Sequence, residues 1–431
     1  MNNNQANLSK IVTPSKSGLR GIIDIPSDKS ISHRAAIFSA LTHAQCEIFN
    51  FSSGKDCHST LAVLKELGVE VKFKNIKDLI LTSPSKFSTP SKTLDAGNSG
   101  TTIRLMSGIL AGCDFRSSIT GDASLKKRPM KRVINPLEKM GAEILSNDFK
   151  APLTFNGKAL EAIDYVSQIA SAQVKSCVLL AGLGAKGRTS FDEPYVSRNH
   201  TEIMLDYLGA NIAVNGTKVS IEKSELIPKP IRIAGDISSA AFFIAAALIV
   251  PNSEIIIKNI GLNPTRTGVL DVFKAMGGDI EILDERTVCG EKVGDIKVKT
   301  SELKGTTIEG AIIPRLIDEI PIIAVVATQA LGKTIIKDAE ELRAKESDRI
   351  AVMATELRKM GIKIQETPDG FVIEGKQKLK GNATIETYHD HRIAMSMYVA
   401  GMVSDSAIEV RDFNWVDISF PEFEGLMEGL C

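Results

Sequence analysis

The sequence predicts an α/β protein of two similar domains, built from six units with buried helices inside and sheets and amphipathic helices outside. Two observations carry this. Five helix-like segments end on a bulky apolar residue, a glycine, and a small or apolar residue: Leu67-Gly68-Val69, Met140-Gly141-Ala142, Leu208-Gly209-Ala210, Met276-Gly277-Gly278 and Met360-Gly361-Ile362. Glycine suits the position after a helix because it takes φ > 0 without steric cost. Each end precedes a strand-like segment. They recur about every 70 residues, longer than the usual solenoid repeat, so each unit holds several elements.

The second observation is a polar loop opening an apolar helix, once per unit. The copies are Asp28-Lys29-Ser30, Gly97-Asn98-Ser99-Gly100-Thr101-Thr102, Ser171-Ala172-Gln173-Val174-Lys175, Gly235-Asp236-Ile237-Ser238-Ser239, Ile317-Asp318-Glu319-Ile320 and Tyr388-His389-Asp390-His391-Arg392. β-rich segments such as Glu254–Lys258 and Thr334–Lys337 follow. The helices opening at Ser30, Gly100 and Ser238 are apolar nearly all round, as buried helices are. The chain before Ile25 reads as an extra strand for the second half. The domains expected are 1–25 plus 237–431, and 26–236, meeting in a cleft that a hinge closes over a ligand.

Composition narrows the function. The 431 residues are 43% hydrophobic and 24% charged, ordinary for a soluble globular chain, and long enough for two or three domains. Lys+Arg 52 against Asp+Glu 52 leaves no net charge, so nothing global favours nucleic acid or an anionic membrane. Six scattered cysteines without a C-x-x-C fit reduced thiols in a cytosol better than disulfides or a zinc site. The polar start Met1–Gln5 lacks the order of a signal peptide, and the apolar run Ala240–Val250 is too short for a bilayer. A cytoplasmic protein is expected.

In chain order, the first chemical stretch is Pro26–Arg34. Asp28 or Ser30 can cap the helix, Ser30 and Arg34 share a face, and Lys29 stands just ahead. A hydroxyl and two cations at a helix N-terminus suit a phosphate or carboxylate; an ordinary capped helix with solvated charges is the plainer alternative. Asn98, Gly100, Thr101 and Arg104 form a glycine-rich helix start, and Lys126-Lys127-Arg128 is a basic run that could equally be solvated. Arg343–Arg349 packs five charges into seven residues at a helix start, with Lys345 and Arg349 on one face. Glu346 among those cations either neutralises them or is a positioned acid–base group. Tyr388-His389-Asp390-His391 does not favour a metal, because adjacent residues on a helix point apart. The inventory suits a substrate with several phosphates or carboxylates and chemistry by proton transfer, with Asp318 and Glu346 as candidate carboxylates.

Asp28–Arg34, Gly97–Arg104, Arg343–Arg349 and Tyr388–Arg392 resemble, in order and over nearly the whole chain, the signatures of the 5-enolpyruvylshikimate-3-phosphate synthase family. The resemblance implies two domains of three βαβαββ units each, an inside-out α/β barrel, and transfer of the enolpyruvyl group from phosphoenolpyruvate to shikimate 3-phosphate without cofactor or metal. It implies shikimate 3-phosphate on Lys29, Ser30, Arg34, Ser171, Gln173, Ser197, Asp318 and Lys345. Phosphoenolpyruvate would meet Lys29, Asn98, Gly100, Arg128, Gln173, Arg349, His391 and Arg392. Asp318 resembles the base facing the attacking hydroxyl and Glu346 the acid that protonates the methylene carbon, with Lys29 the third catalytic group.

Ala172 and Ile418 depart from a serine and a lysine found in many members, and Glu341 stands where some have asparagine. Ser171–Lys175, Arg198–Glu202 and Asn263–Arg266 are similar to the second, glyphosate-tolerant class, although Gly100 is not the alanine linked with tolerance. A monomer is the family expectation. The nearest rival is the sister transferase acting on UDP-N-acetylglucosamine, which uses a loop cysteine; Cys113 lies in that region and reads as packed. A non-catalytic anion-binding protein on the same fold is the other alternative, and it would gain nothing from Asp318 and Glu346.

Overall fold

A computed structural model describes residues 9–431, so the polar start Met1–Gln5 lies outside the described residues. The chain divides into two compact units. One comprises Ser27–Ala234 with Thr287–Glu291; the other comprises the segment ending at Pro26, Gly235–Arg286 and Lys292–Cys431. The sequence placed the divisions after residues 25 and 236, and did not assign the short Thr287–Glu291 stretch to the unit of Ser27–Ala234.

The unit of Ser27–Ala234 holds helices α1 (Lys29–Ala40), α2 (Lys55–Glu66), α3 (Gly100–Leu110), α4 (Lys131–Lys139), α5 (Ala172–Gly182) and α6 (His200–Tyr207). Its three sheets share one order. Leu94–Asp95 runs parallel to Arg116–Thr120, which pairs antiparallel with Lys150–Asn156, which pairs with Glu143–Asn147. The sheet from Asp164–Val166 to Ile212–Asn215 repeats this, so each reads β-α-β-α-β-β along the chain. The first sheet instead takes its opening strand from the far end: Ile231–Arg232 lies parallel to Gln45–Phe49.

The other unit holds α7 (Ile237–Ile249), α8 (Gly268–Ala275), α9 (Ile320–Gln329), α10 (Arg349–Lys359), α11 (His391–Met402) and α12 (Phe423–Glu428). Here the N-terminal segment supplies two strands, not one. Arg20–Asp24 runs parallel to Glu254–Lys258, and Lys10–Val12 pairs antiparallel with Ile408–Val410. None of the six sheets among the described residues closes on itself; the barrel is open sheets around buried helices.

Those buried helices are α1, α3 and α5 in one unit and α7, α9 and α11 in the other. In α7 every residue from Ile237 to Leu248 is buried, which removes any polar face. Small residues let such helices approach. A Cβ on Gly108 of α3 would lie 2.2 Å from the Cys177 carbonyl oxygen of α5, so only glycine fits there. Gly68, Gly141, Gly209, Gly277 and Gly361 all have φ between +81° and +95°, as their place after a helix requires.

One local expectation changes. Lys345 and Arg349 do not share a helix face, because α10 begins at Arg349. The Asp348 carboxylate accepts the Ala351 N–H at 3.0 Å and fixes that start, leaving Lys345 extended at φ −86°, ψ −152°.

Candidate active site

In the unit of Ser27–Ala234 the side chains singled out from sequence stand at the N-termini of α1, α3 and α5. Asp28, rather than Ser30, caps α1 by accepting the Ile31 N–H at 2.8 Å. Lys29 pairs with Asp56 of α2 at 2.5 Å and stays half-buried, beside Ser30. Arg34 is buried, and its guanidinium donates to the Ser30 carbonyl at 3.0 Å, Ser176 Oγ at 2.8 Å and Thr201 Oγ1 at 2.8 Å. It therefore ties α1 to α5 and α6.

The second group surrounds Gly100. A Cβ there would meet Arg104 Nη1 at 3.1 Å and Arg128 Nη1 at 3.3 Å, so the bare backbone faces two guanidinium groups. Arg128 donates to Asn98 Oδ1 at 2.8 Å, and Asn98 donates in turn to Asp122 at 2.7 Å. Arg104 binds Gln173 Oε1, while Gln173 Nε2 donates to Thr101 at 3.0 Å. Ser171 occupies the cap position of α5 without bonding its own helix through its side chain. Ser197 gives its N–H and hydroxyl to Glu193, whose same oxygen takes the Lys175 ammonium at 2.7 Å.

Beneath these groups runs a buried chain from His33 Nδ1 to Thr60 (2.7 Å), Thr102 (2.7 Å) and Ser99 (2.7 Å). Ser99 also caps α3 by accepting the Thr102 N–H at 3.1 Å. Burial, reinforced by Lys29, pushes the His33 imidazole down to about 3, so it is neutral at ordinary pH.

In the other unit, Arg349 is the centre. Its Nε donates to Asp390 at 2.8 Å, and its terminal nitrogens reach Glu346 at 2.6 Å and Asp318 at 3.4 Å. Burial opposes the charge of Arg349, yet Asp390, Glu346 and Asp318 together hold its pKa above the ordinary arginine value. Burial likewise works against Asp390, but Arg349 outweighs it and keeps the carboxyl below the usual carboxylate range. Asp390 also caps α11, accepting the Arg392 N–H at 2.9 Å. Arg392 donates to the Asp318 carbonyl at 3.2 Å and lies 3.7 Å from Glu319.

Thus Asp318, the neighbouring pair Glu346 and Arg349, and Arg392 converge from three separate stretches of sequence. Lys345 stands half-buried before Asp348, outside the set of ion pairs around Arg349. His391 is buried at the first turn of α11, while His389 turns the other way and stacks on Trp415 with ring centres 4.7 Å apart. Among the described residues no group of three or more His, Cys, Asp or Glu could hold a metal ion.

Sequence reasoning missed the partners that hold these groups: Asp390, Asp56, Asp122, Glu193 and Lys175. Two of them gave a signal: Lys175, a lone cation inside the apolar helix Val174–Leu180, and Asp390, which stands in the helix opening Tyr388–Arg392.

Residues 13–427 match the family described as EPSP synthase (3-phosphoshikimate 1-carboxyvinyltransferase). The chain belongs to the EPSP synthase family. It is 53% identical over 407 residues to the 3-phosphoshikimate 1-carboxyvinyltransferase of Thermoanaerobacter sp. (strain X514), covering 94% of this chain and 96% of that one. It is 51% identical over 424 residues to that of Petrotoga mobilis, covering 97% and 98%. An EPSP synthase structure from Acinetobacter baumannii superposes with a TM-score of 0.89 at 39% identity, over 98% of each chain. The chain is therefore an enzyme of the enolpyruvyl transferase fold.

Proposed function

We infer that the enzyme transfers the enolpyruvyl group of phosphoenolpyruvate to the 5-hydroxyl of shikimate 3-phosphate and releases phosphate, a step of the shikimate pathway toward aromatic amino acids. The observation that carries the mechanism is Arg349 gathering Asp318 and Glu346 on one guanidinium. Glu346 gives its proton to the methylene carbon of phosphoenolpyruvate, leaving cationic character on the neighbouring carbon. The 5-hydroxyl attacks that carbon as Asp318 takes its proton. The tetrahedral intermediate then expels phosphate and reforms the double bond as the Glu346 carboxylate takes a proton back from the methyl group. Both steps are general acid–base chemistry.

Cations and polar groups share the binding. Lys29, Ser30, Arg34, Ser171, Gln173, Ser197, Asp318 and Lys345 serve shikimate 3-phosphate. Lys29, Asn98, Gly100, Arg128, Gln173, Arg349, His391 and Arg392 serve phosphoenolpyruvate. Fixed guanidinium groups and helix N-termini suit phosphate and carboxylate because their donors are already oriented. The test is phosphate release from phosphoenolpyruvate with shikimate 3-phosphate, and separately with UDP-N-acetylglucosamine, in EDTA. Release with the first acceptor alone is expected; release with the nucleotide sugar alone overturns the reading.

The sister transferase is disfavoured by Cys113. Burial pushes its thiol up to about 12, so it offers no thiolate near neutral pH. Reduced glyphosate sensitivity is part of the proposal, supported by the Ser171–Lys175, Arg198–Glu202 and Asn263–Arg266 segments. Potent inhibition competing with phosphoenolpyruvate would sink it. The free cysteines support a cytoplasmic location as part of the proposal. No described helix is long and apolar enough to cross a membrane.

A further inference from the structure

Lys175 lies inside α5 with a side chain only 1% exposed, against Glu193 Oε1 at 2.7 Å and Glu202 Oε1 at 2.8 Å. Its ammonium also reaches the Ser197 carbonyl at 3.3 Å. Glu193 Oε1 accepts twice more, from the Ser197 N–H at 2.8 Å and the Ser197 hydroxyl at 2.9 Å. One oxygen thus receives three donors, and two of them belong to Ser197. Burying a charge is costly unless it is paired. Glu202 alone would pair Lys175, so the second buried carboxylate is not needed for neutrality. What Glu193 adds is its hold on Ser197.

We propose that Glu193 is a positioning residue: through one carboxylate oxygen, locked by Lys175, it fixes the backbone and hydroxyl of Ser197 for shikimate 3-phosphate. This rests on the reading of Ser197 as part of that substrate's site. Glu193 itself does not touch the substrate; it acts through Ser197.

Two substitutions separate positioning from a merely structural triad. Glu193→Gln and Glu202→Gln each remove one carboxylate from the same buried cluster, and each leaves Lys175 one anionic partner. Only the first weakens the oxygen that holds Ser197. In the full-length enzyme, Glu193→Gln is expected to raise KM for shikimate 3-phosphate roughly tenfold, the scale of a weakened charge-assisted bond, while KM for phosphoenolpyruvate changes little. Glu202→Gln is expected to leave both near the parent values. Equal rises in the two variants, or no rise in Glu193→Gln, overturn the proposal. If Glu193→Gln does not fold, Glu193→Asp keeps the charge beside Lys175 but draws the oxygen back by one methylene. The same selective rise is then expected, and an unchanged KM overturns the proposal. A parent enzyme that neither binds nor turns over shikimate 3-phosphate would instead remove the reading on which the proposal stands.

Discussion

Arg349 and Asp390 form an ion pair of 2.8 Å with side chains 1% and 0% exposed. Such a pair is sensitive to the loss of one member, because the other is left charged and buried. Asp390→Ala is expected to lower unfolding free energy by about 3–5 kcal/mol. Phosphate release should fall by roughly two orders of magnitude, since Arg349 also orients Glu346 and Asp318. Urea titration and the release assay read the two effects. A variant as stable as the parent would show that the remaining carboxylates suffice.

Asp318→Asn and Glu346→Gln keep shape while removing the proton-transfer groups. Each should lower kcat by about 10²–10⁴-fold, the usual range for a lost general acid or base. Substrate binding, measured by calorimetry, should change far less. Retained kcat in either variant would assign that carboxylate to neutralising Arg349 only.

His33 makes stability depend on pH in a known direction. Its folded pKa of about 3 lies below the 6.5 of an unperturbed histidine. As pH falls from 6.5 toward 3, the unfolded chain takes up a proton that the native state does not. Stability attributable to this residue therefore declines by about 1.4 kcal/mol per pH unit across that window. His33→Gln should flatten the loss of urea midpoint between pH 7 and 5, whatever its effect at pH 7. An unchanged slope contradicts the assignment.

Gly100→Ala places a methyl group 3.1–3.3 Å from the ends of Arg104 and Arg128. Those ends can shift, so the fold should hold, but the anion site loses space. KM for phosphoenolpyruvate should rise several-fold, about 1 kcal/mol of lost binding, with a smaller change in kcat. A parallel drop in melting temperature would point to packing instead.

Burial raises the thiols of Cys57 and Cys113 to about 12. Alkylating reagents at pH 7.5 should therefore leave these two unmodified and turnover intact, as mass spectrometry of the treated enzyme would show. Inactivation that tracks modification of Cys113 would revive the sister-enzyme reading.

Much of this was legible in sequence because it rests on local rules. The glycines after helices, the polar caps, and the apolar helix Ala240–Ala247 each announce a backbone conformation or a burial state. The candidate carboxylates were found by the same route, Glu346 as an acid among cations and Asp318 in a polar loop that opens an apolar helix. Resemblance to the family then gave them roles that spacing could not. What stayed hidden was long-range pairing. Nothing near Arg349 in sequence predicts Asp390 as its principal partner, and nothing near Ser197 predicts the ammonium of Lys175 beneath it. The helix start at Arg349 was misjudged for a local reason, since Asp348 competes with residues upstream as the cap.

The strand Arg20–Asp24 has a further consequence through its parallel partner, Glu254–Lys258. More than two hundred residues separate them, and almost the whole unit of Ser27–Ala234 is synthesised in between. On the ribosome that inserted unit can finish nearly all its own sheets while the early strand waits as an unpaired edge. An unpaired edge is open to partners from other chains. Rapid synthesis at high concentration should therefore trap this protein through Arg20–Asp24, and slower production at lower temperature should relieve the trap.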